Sequence, residues 1–168
     1  MMDYLNQDHP ALRGSKDLRL YAVRELLDRS LKCSRSFLLQ FDSMRLKDVI
    51  GEEDFQKLMP SFGPVTSWSS SKYDIYGTDL NDSRIELLRR ILSPEPEGYP
   101  ELPLNYIKSV RLHDRVGKTV LRGGDHNSFI LFSLPESEYA ALVETYRRRK
   151  IPGDVIEKVD VDVENLEP

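Results

Sequence analysis

The sequence predicts an α+β fold, a single compact domain in which amphipathic helices pack against a largely antiparallel sheet. Two observations support this class. Apolar residues spaced three and four apart recur in several segments and predict amphipathic helices. Short alternating segments separated by turn residues fill the C-terminal third and predict a β-meander, followed by a helix and a last strand. Because the strands are grouped and do not alternate regularly with helices, the pattern indicates α+β and not α/β.

The length and composition are those of a globular domain. The chain has 168 residues, of which 39% are hydrophobic and 31% charged, and a chain of this length buries about 70% of its unfolded surface. A single cysteine excludes an internal disulfide framework and fits a reducing compartment, so we expect a cytoplasmic protein. No apolar run approaches the roughly 18 residues of a membrane span, and the first nine residues lack the basic charge of a secretory signal.

The N-terminal region divides into an arm and a helix. Residues 1–14 show no sustained period and contain Pro10 and Gly14, so they are interpreted as a flexible arm ahead of a domain over 15–168. From the candidate cap Ser15 onward the pattern is helical. The apolar stripe that predicts this helix comprises Leu20, Val23, Leu27 and Leu31.

The next segments are short and less regular. Residues 37–41 form an apolar run that suits a buried strand or a second helix equally. Residues 52–59 predict a short helix with acids in its first turn, where the helix dipole favours them. Residues 65–68 and 72–76 predict two short strands around a serine-rich turn.

A second amphipathic helix and a linker follow. Asn81 and neighbouring polar residues can cap a helix whose apolar positions lie between 85 and 92. Residues 94–103 contain four prolines and three glutamates, which predicts a stiff, solvated linker. This linker is the best candidate for a subdomain boundary, although one compact domain is the expectation.

The C-terminal third predicts three consecutive antiparallel strands. Strands over 105–113 and 118–122 enclose a turn at 114–117, and a second turn over 123–127 leads to a strand over 128–134. The third strand is apolar throughout its centre, which is typical of a strand buried on both faces.

A helix and a last strand complete the domain. Residues 133–136 match a capping box, and the helix after them carries apolar residues at spacings of three and four. Its last turn is basic and includes Arg147 and Arg148, and residues 152–153 end it. Residues 159–163 alternate valine with aspartate and predict a strand whose acidic face is solvated, an interpretation we favour over a weak cation site.

Two histidines raise the question of catalysis. His113 and His126 each neighbour an aspartate, and ribonucleases of the two-histidine type use one imidazole as base and the other as acid. The predicted meander puts His113 at its first turn and His126 at its second. A strand of about five residues spans roughly 16 Å, so the two rings are expected at opposite ends of the sheet and not at a shared phosphate.

Other catalytic and metal-binding patterns fail on spacing. The sequence has no HExxH, CxxC, DxDxDG, GxxxxGK[ST] or GxGxxG motif. The S-x-x-K string at 69–72 lies in a predicted turn and not on a helix. Cys33 lies near Lys32 and Arg35, which would lower its pKa somewhat, but no histidine is positioned beside it. We therefore expect no metal and no cofactor, and we favour a binding protein over an enzyme whose site is assembled from scattered polar residues.

The first hairpin of the meander carries a cationic face. A two-residue loop places Arg111 opposite Arg122, and a four-residue loop places His113 opposite Lys118. Either register puts these four side chains on one face and apolar residues on the other. Such a face can hold phosphates, but it lacks the interleaved aromatic rings of a base-stacking platform.

The charge distribution and the missing motifs predict an interaction protein. Residues 154–168 contain six acids and one base, whereas residues 1–153 are nearly neutral and have basic patches. We expect a non-enzymatic protein-binding domain, of the inhibitor, immunity or accessory type, that binds a protein partner through charged patches. The alternative is a nucleic-acid-binding or RNA-acting protein that uses the basic sheet face. The predicted binding residues are Arg111, His113, Lys118, Arg122, Arg147 and Arg148.

Overall fold

The computed structural model of the protein describes residues 1–61, 63–92, 107–124 and 129–161, and an eight-stranded sheet lies at its centre. The strands are β1 (Met2–Leu5), β2 (Ser36–Asp42), β3 (Val65–Ser69), β4 (Lys72–Thr78), β5 (Ile107–His113), β6 (Thr119–Gly124), β7 (Phe129–Phe132) and β8 (Ile156–Val159). Their order across the sheet is β3-β4-β2-β5-β6-β7-β1-β8, and all neighbours are antiparallel. The predicted meander is therefore confirmed as β5-β6-β7.

Five α-helices accompany the sheet in the described part of the chain. They are α1 (Pro10–Arg13), α2 (Lys16–Cys33), α3 (Ser43–Ser61), α4 (Asp82–Leu92) and α5 (Glu136–Arg148), and a 3-10 helix over Gly153–Val155 leads into β8. The predicted class, α+β with a largely antiparallel sheet and amphipathic helices, is confirmed.

Alternate side chains of the strands face the helices and form the core. In β2, Phe37, Leu39 and Phe41 are fully buried, and the residues between them are half-buried. Because β2 pairs with β4 on one side and β5 on the other, residues 37–41 form a strand and not a helix. α2 packs against β5 and β6, and α3 packs against β2 and β4.

The longest regular helix begins where the sequence predicts. The hydroxyl of Ser15 accepts a hydrogen bond from the backbone N–H of Leu18 at 3.3 Å and so caps α2. The buried Tyr146 hydroxyl of α5 donates to the carbonyl oxygen of Ala22 at 2.6 Å. Since both groups are buried, this bond satisfies a hydroxyl that would otherwise be costly to bury, and it joins α5 to α2.

The prediction of a flexible arm over residues 1–14 is wrong. Met2–Leu5 is strand β1, which pairs with β7 on one side and β8 on the other. Leu5 and Leu12 are fully buried in the core. The segment is too short to show a period of its own, and its pairing partners lie more than 120 residues away in sequence, at Leu131 and beyond.

Several predicted boundaries also change. α3 begins at Ser43, but Gly51 in the left-handed region (φ 80°) divides it into two helices, and the second begins at Glu52, where the sequence predicts a helix. The predicted capping box does not form, because the backbone N–H of Ser133 bonds to the carbonyl of Val120 and α5 starts only after Pro135. Gly124, predicted as a turn residue, pairs with β7.

Some predictions fall on residues that the structure does not describe. They are the linker at 94–103, His126 with most of the second predicted turn, and Asp162 and Glu164 of the acidic strand. Within the described residues, the last strand ends at Val159 and Asp160 follows it.

Close packing of β2 on β4 predicts that Gly77→Ala is destabilising. Gly77 pairs with Phe37, and a Cβ at Gly77 would lie 2.0 Å from a ring carbon of that fully buried side chain. We expect the free energy of unfolding to fall by about 1–3 kcal/mol in urea melts. Gly153→Ala is the control, because its Cβ meets nothing within 4 Å; equal losses in the two variants would contradict the packing.

Because β1 is a strand of the central sheet, we predict that Leu5→Ala is strongly destabilising. Leu5 is fully buried, so truncation leaves a cavity in the core and should cost about 2–5 kcal/mol in the free energy of unfolding. Val116→Ala, at a side chain that is 87% exposed, should change little. A flexible arm would instead leave the Leu5 variant as stable as the wild type.

Candidate functional site

The structure brings together the four residues predicted for the cationic sheet face. They line a depression of about 500 Å³, which we call the basic depression. It lies on the sheet face opposite the core, at the end of β5 and the start of β6. Its described lining comprises Met1, Met2, Arg111, His113, Gly117, Lys118, Thr119, Arg122 and Ser133.

The register of the β5-β6 hairpin sets which cations are neighbours. Arg111 pairs directly with Arg122, as the two-residue-loop register predicts. A bulge then shifts the register, so His113 lies opposite Thr119 and not opposite Lys118. The sequence predicts that the four cationic side chains share one face of the sheet. It does not predict the bulge, because a bulge does not produce a recognisable pattern of hydrophobic residues.

Asp114 builds the turn that carries Lys118. One of its carboxylate oxygens accepts hydrogen bonds from the backbone N–H groups of Val116 and Lys118, each at 2.9 Å. Gly117 completes the turn in the left-handed region, with φ 84°. Asp114, although it neighbours the basic depression in sequence, therefore stabilises the turn that carries Lys118.

The two arginines form a concentrated positive charge. Arg122 is only 5% exposed, and like charges opposite each other in a sheet are destabilising. Burial, and then the charge of Arg111, lowers the pKa of Arg122. The Nε atom of Arg111 is buried without a hydrogen-bond partner. Neither Arg111 nor Lys118 forms an ion pair with any residue that the structure describes.

The environment of His113 disfavours its protonated form. Burial and the neighbouring charge of Arg111 lower its pKa below the ordinary value, and Asp114 opposes this in part. The predicted separation of His113 from His126 stays a prediction, since His126 lies outside the described residues. His9 has a structural role: its Nδ1 accepts from the N–H of Ala11 and caps α1.

Arg147 and Arg148 do not line the basic depression. They lie on α5 and bind the carboxylate of Glu144, at 2.8 and 3.0 Å. These bonds lower the pKa of Glu144 to about 2. Helical spacing of three and four places the acid beside both bases, so this predicted basic patch is neutralised in part by its own helix.

The other candidate groups give no catalytic arrangement. Burial, followed by Glu138, raises the pKa of Cys33. Arg35 and Lys32 lower it, as the sequence predicts, but burial and Glu138 outweigh them. Ser69 and Lys72 of the S-x-x-K string lie across the β3-β4 hairpin and not on one helical turn. Among the described residues, no three potential ligands of the histidine, cysteine or carboxylate type cluster as a metal site.

Sequence reasoning missed the neighbours of the arginine pair. The registers place Tyr76, Leu38, Arg111 and Arg122 in one row across β4, β2, β5 and β6. Tyr76 is 45% exposed. Strand alternation signals that each residue faces away from the core, but the strand order that aligns them is not visible in the sequence.

Comparison of the chain with protein-family models, with curated proteins and with solved structures finds no match. None of the helices in the described ranges has the length and apolar character needed to cross a membrane.

A pH series of unfolding experiments tests the burial of His113. Because its folded pKa lies below the ordinary 6.5, the unfolded chain binds more protons as the pH falls below 6.5. This contribution to the free energy of unfolding is complete above pH 6.5 and is lost as the pH falls through the folded pKa. We expect urea melts of His113→Gln to show a smaller fall in the free energy of unfolding at acid pH than the wild type shows. An equal fall in the two proteins would contradict the burial of His113.

Proposed function

We propose that the protein is a non-enzymatic protein-binding domain, of the inhibitor, immunity or accessory type, whose basic depression receives an acidic side chain of a partner. The observation that carries the proposal is the cross-strand pair Arg111 and Arg122, held on a rigid sheet inside a concave surface. A carboxylate bound by the guanidinium of Arg111 would offset the repulsion that Arg111 exerts on its cross-strand neighbour.

The arrangement of donors supports an anionic ligand. The buried Nε of Arg111 has an unused hydrogen-bond donor, and a guanidinium can bind a carboxylate through two parallel bonds. Lys118 stands exposed at the rim, on a turn held by Asp114. A rim cation of this kind speeds the approach of an acidic partner, whereas the enclosed arginine slows its departure.

The surroundings favour a protein ligand over a nucleic acid. Arginine and methionine, which are enriched at protein interfaces, line the basic depression, and the imidazole of His113 is the one aromatic ring among its described lining residues. The whole chain carries a formal charge of −4, which repels a long polyanion outside the local patch. The lone cysteine suits a reducing compartment, so we place this interaction in the cytoplasm.

The same lining supports binding without catalysis. It contains one imidazole, whose pKa is lowered by burial, and none of its described members is a carboxylate that could act as its acid–base partner. Asp114, the adjacent acid, is engaged by two backbone N–H groups.

Affinity capture from the native cell, followed by calorimetry with the captured protein, tests the proposal. We expect Arg111→Gln to weaken binding by about 30-fold or more, mainly through faster dissociation, because it leaves the partner's acid unpaired. Lys118→Glu should slow association and reduce its dependence on salt. Arg147→Gln is the matched control, since Arg147 is paired with Glu144 away from the basic depression.

Circular dichroism of each variant separates a binding effect from unfolding. Arg111→Gln removes a like-charge neighbour of Arg122, so its stability should not fall. Capture of RNA or DNA alone would overturn the proposal in favour of the nucleic-acid alternative. Equal affinity in all three variants would overturn the assignment of the site.

A further inference from the structure

A second cavity lies at the other end of β5, and we call it the tryptophan cavity. It measures about 250 Å³ and is built by the end of β2, the start of α3, the β3-β4 hairpin and the start of β5. Its Lys108 is five residues from His113, which is roughly 16 Å along a strand. The described lining residues are Phe41, Asp42, Arg45, Trp68, Lys72 and Lys108.

The cavity combines a rigid apolar floor with an accessible aromatic ring. Phe41 is fully buried, stacks on Tyr73 with ring centroids 5.8 Å apart, and meets the edge of Phe55 at 6.1 Å. Trp68 is 39% exposed, which leaves indole surface available to a planar ligand. The ammonium of Lys108 lies 5.9 Å from the indole centroid.

Three cations and one carboxylate line the cavity beside Trp68, and the carboxylate, Asp42, lies opposite Lys72 in the strand register. Arg45, Lys72 and Lys108 are exposed, and none of them is ion-paired to a residue within the described ranges. Asp42 is the one carboxylate of the lining, and its Oδ1 accepts from the N–H groups of Met44 and Arg45, at 3.0 and 3.4 Å. The cavity therefore presents a positive rim around an aromatic wall.

We infer that the tryptophan cavity binds a free nucleoside phosphate, with the base on the indole of Trp68 and the phosphate among Arg45, Lys72 and Lys108. Stacking on an aromatic ring suits any nucleobase. The negative charge of the phosphate would balance these three cations, which would bind it through charge-assisted hydrogen bonds. The described lining of the tryptophan cavity shares no residue with that of the basic depression, so the two sites are independent.

Size and charge favour a single nucleotide over a strand. The volume is below the roughly 300–1,000 Å³ of cavities that enclose drug-sized ligands, so it suits one base and one phosphate. The formal charge of −4 on the chain opposes extension of a polyanion beyond the cavity. A free mononucleotide meets both conditions.

The fluorescence of Trp68 provides a direct test, because it is the only tryptophan of the chain. AMP, adenosine and inorganic phosphate are titrated separately, with excitation at the red edge of the indole band, where adenine does not absorb. We expect saturable quenching by AMP, with a Kd about tenfold or more below that of adenosine, because hydrogen bonds to charged groups are worth that much. The affinity for AMP should fall as salt increases.

Charge-neutralising variants locate the ligand. Arg45→Gln and Lys72→Gln should each raise the Kd for AMP by about tenfold, while both keep the tryptophan reporter. Lys32→Gln is the control, since Lys32 is an exposed residue at the end of α2 and outside the cavity. Circular dichroism confirms that each variant is folded.

Three results would overturn the inference. The first is no saturable quenching by AMP at millimolar concentration. The second is equal affinity for AMP and adenosine, or equal affinity in the three variants, because the cations would then contribute nothing. The third is tighter binding, per nucleotide, of a short oligoadenylate than of AMP, which would assign the cavity to a strand and not to a free nucleotide.

Discussion

The pairing of β5 between β2 and β6 is the constraint on which the surface chemistry of this protein depends. Val110 and Leu112 of β5 are buried in the core, so Arg111 between them must face the other way. A slip of one residue in this pairing would turn the arginine into the core and the leucine outward. The burial of the apolar set thus holds the register that brings Arg111 opposite Arg122.

Both candidate sites lie along that same strand. The basic depression forms where β5 ends and turns into β6, and the tryptophan cavity forms where β5 begins beside β2. The ends of a strand are where side chains of turns and neighbouring helices can approach the sheet. The central strand is rigid because it is paired on both sides, so each site has one wall that needs no ordering when a ligand binds.

The two sites differ in how their charge is held. In the basic depression Arg122 is buried and Arg111 lies opposite it in the neighbouring strand, so the positive charge is held inside the protein surface. In the tryptophan cavity the three cations are exposed, so water screens the repulsion between them when no ligand is bound. An anion should therefore gain more from each contact at the arginine pair, whereas the aromatic wall must supply most of the selectivity at Trp68.

The sequence by itself determined the local elements and the faces of the C-terminal hairpin. The apolar stripe of α2, its Ser15 cap, and the alternation that groups Arg111 with Arg122 depend only on neighbouring residues, so periodicity reveals them. Tertiary structure alone decided which strands that are distant in sequence lie side by side. Met2–Leu5 becomes a strand because β7 and β8 pair with it, and Lys108 reaches Trp68 because the β3-β4 hairpin folds back beside β2. Such contacts join residues far apart in the chain, and no local pattern of hydrophobicity records them.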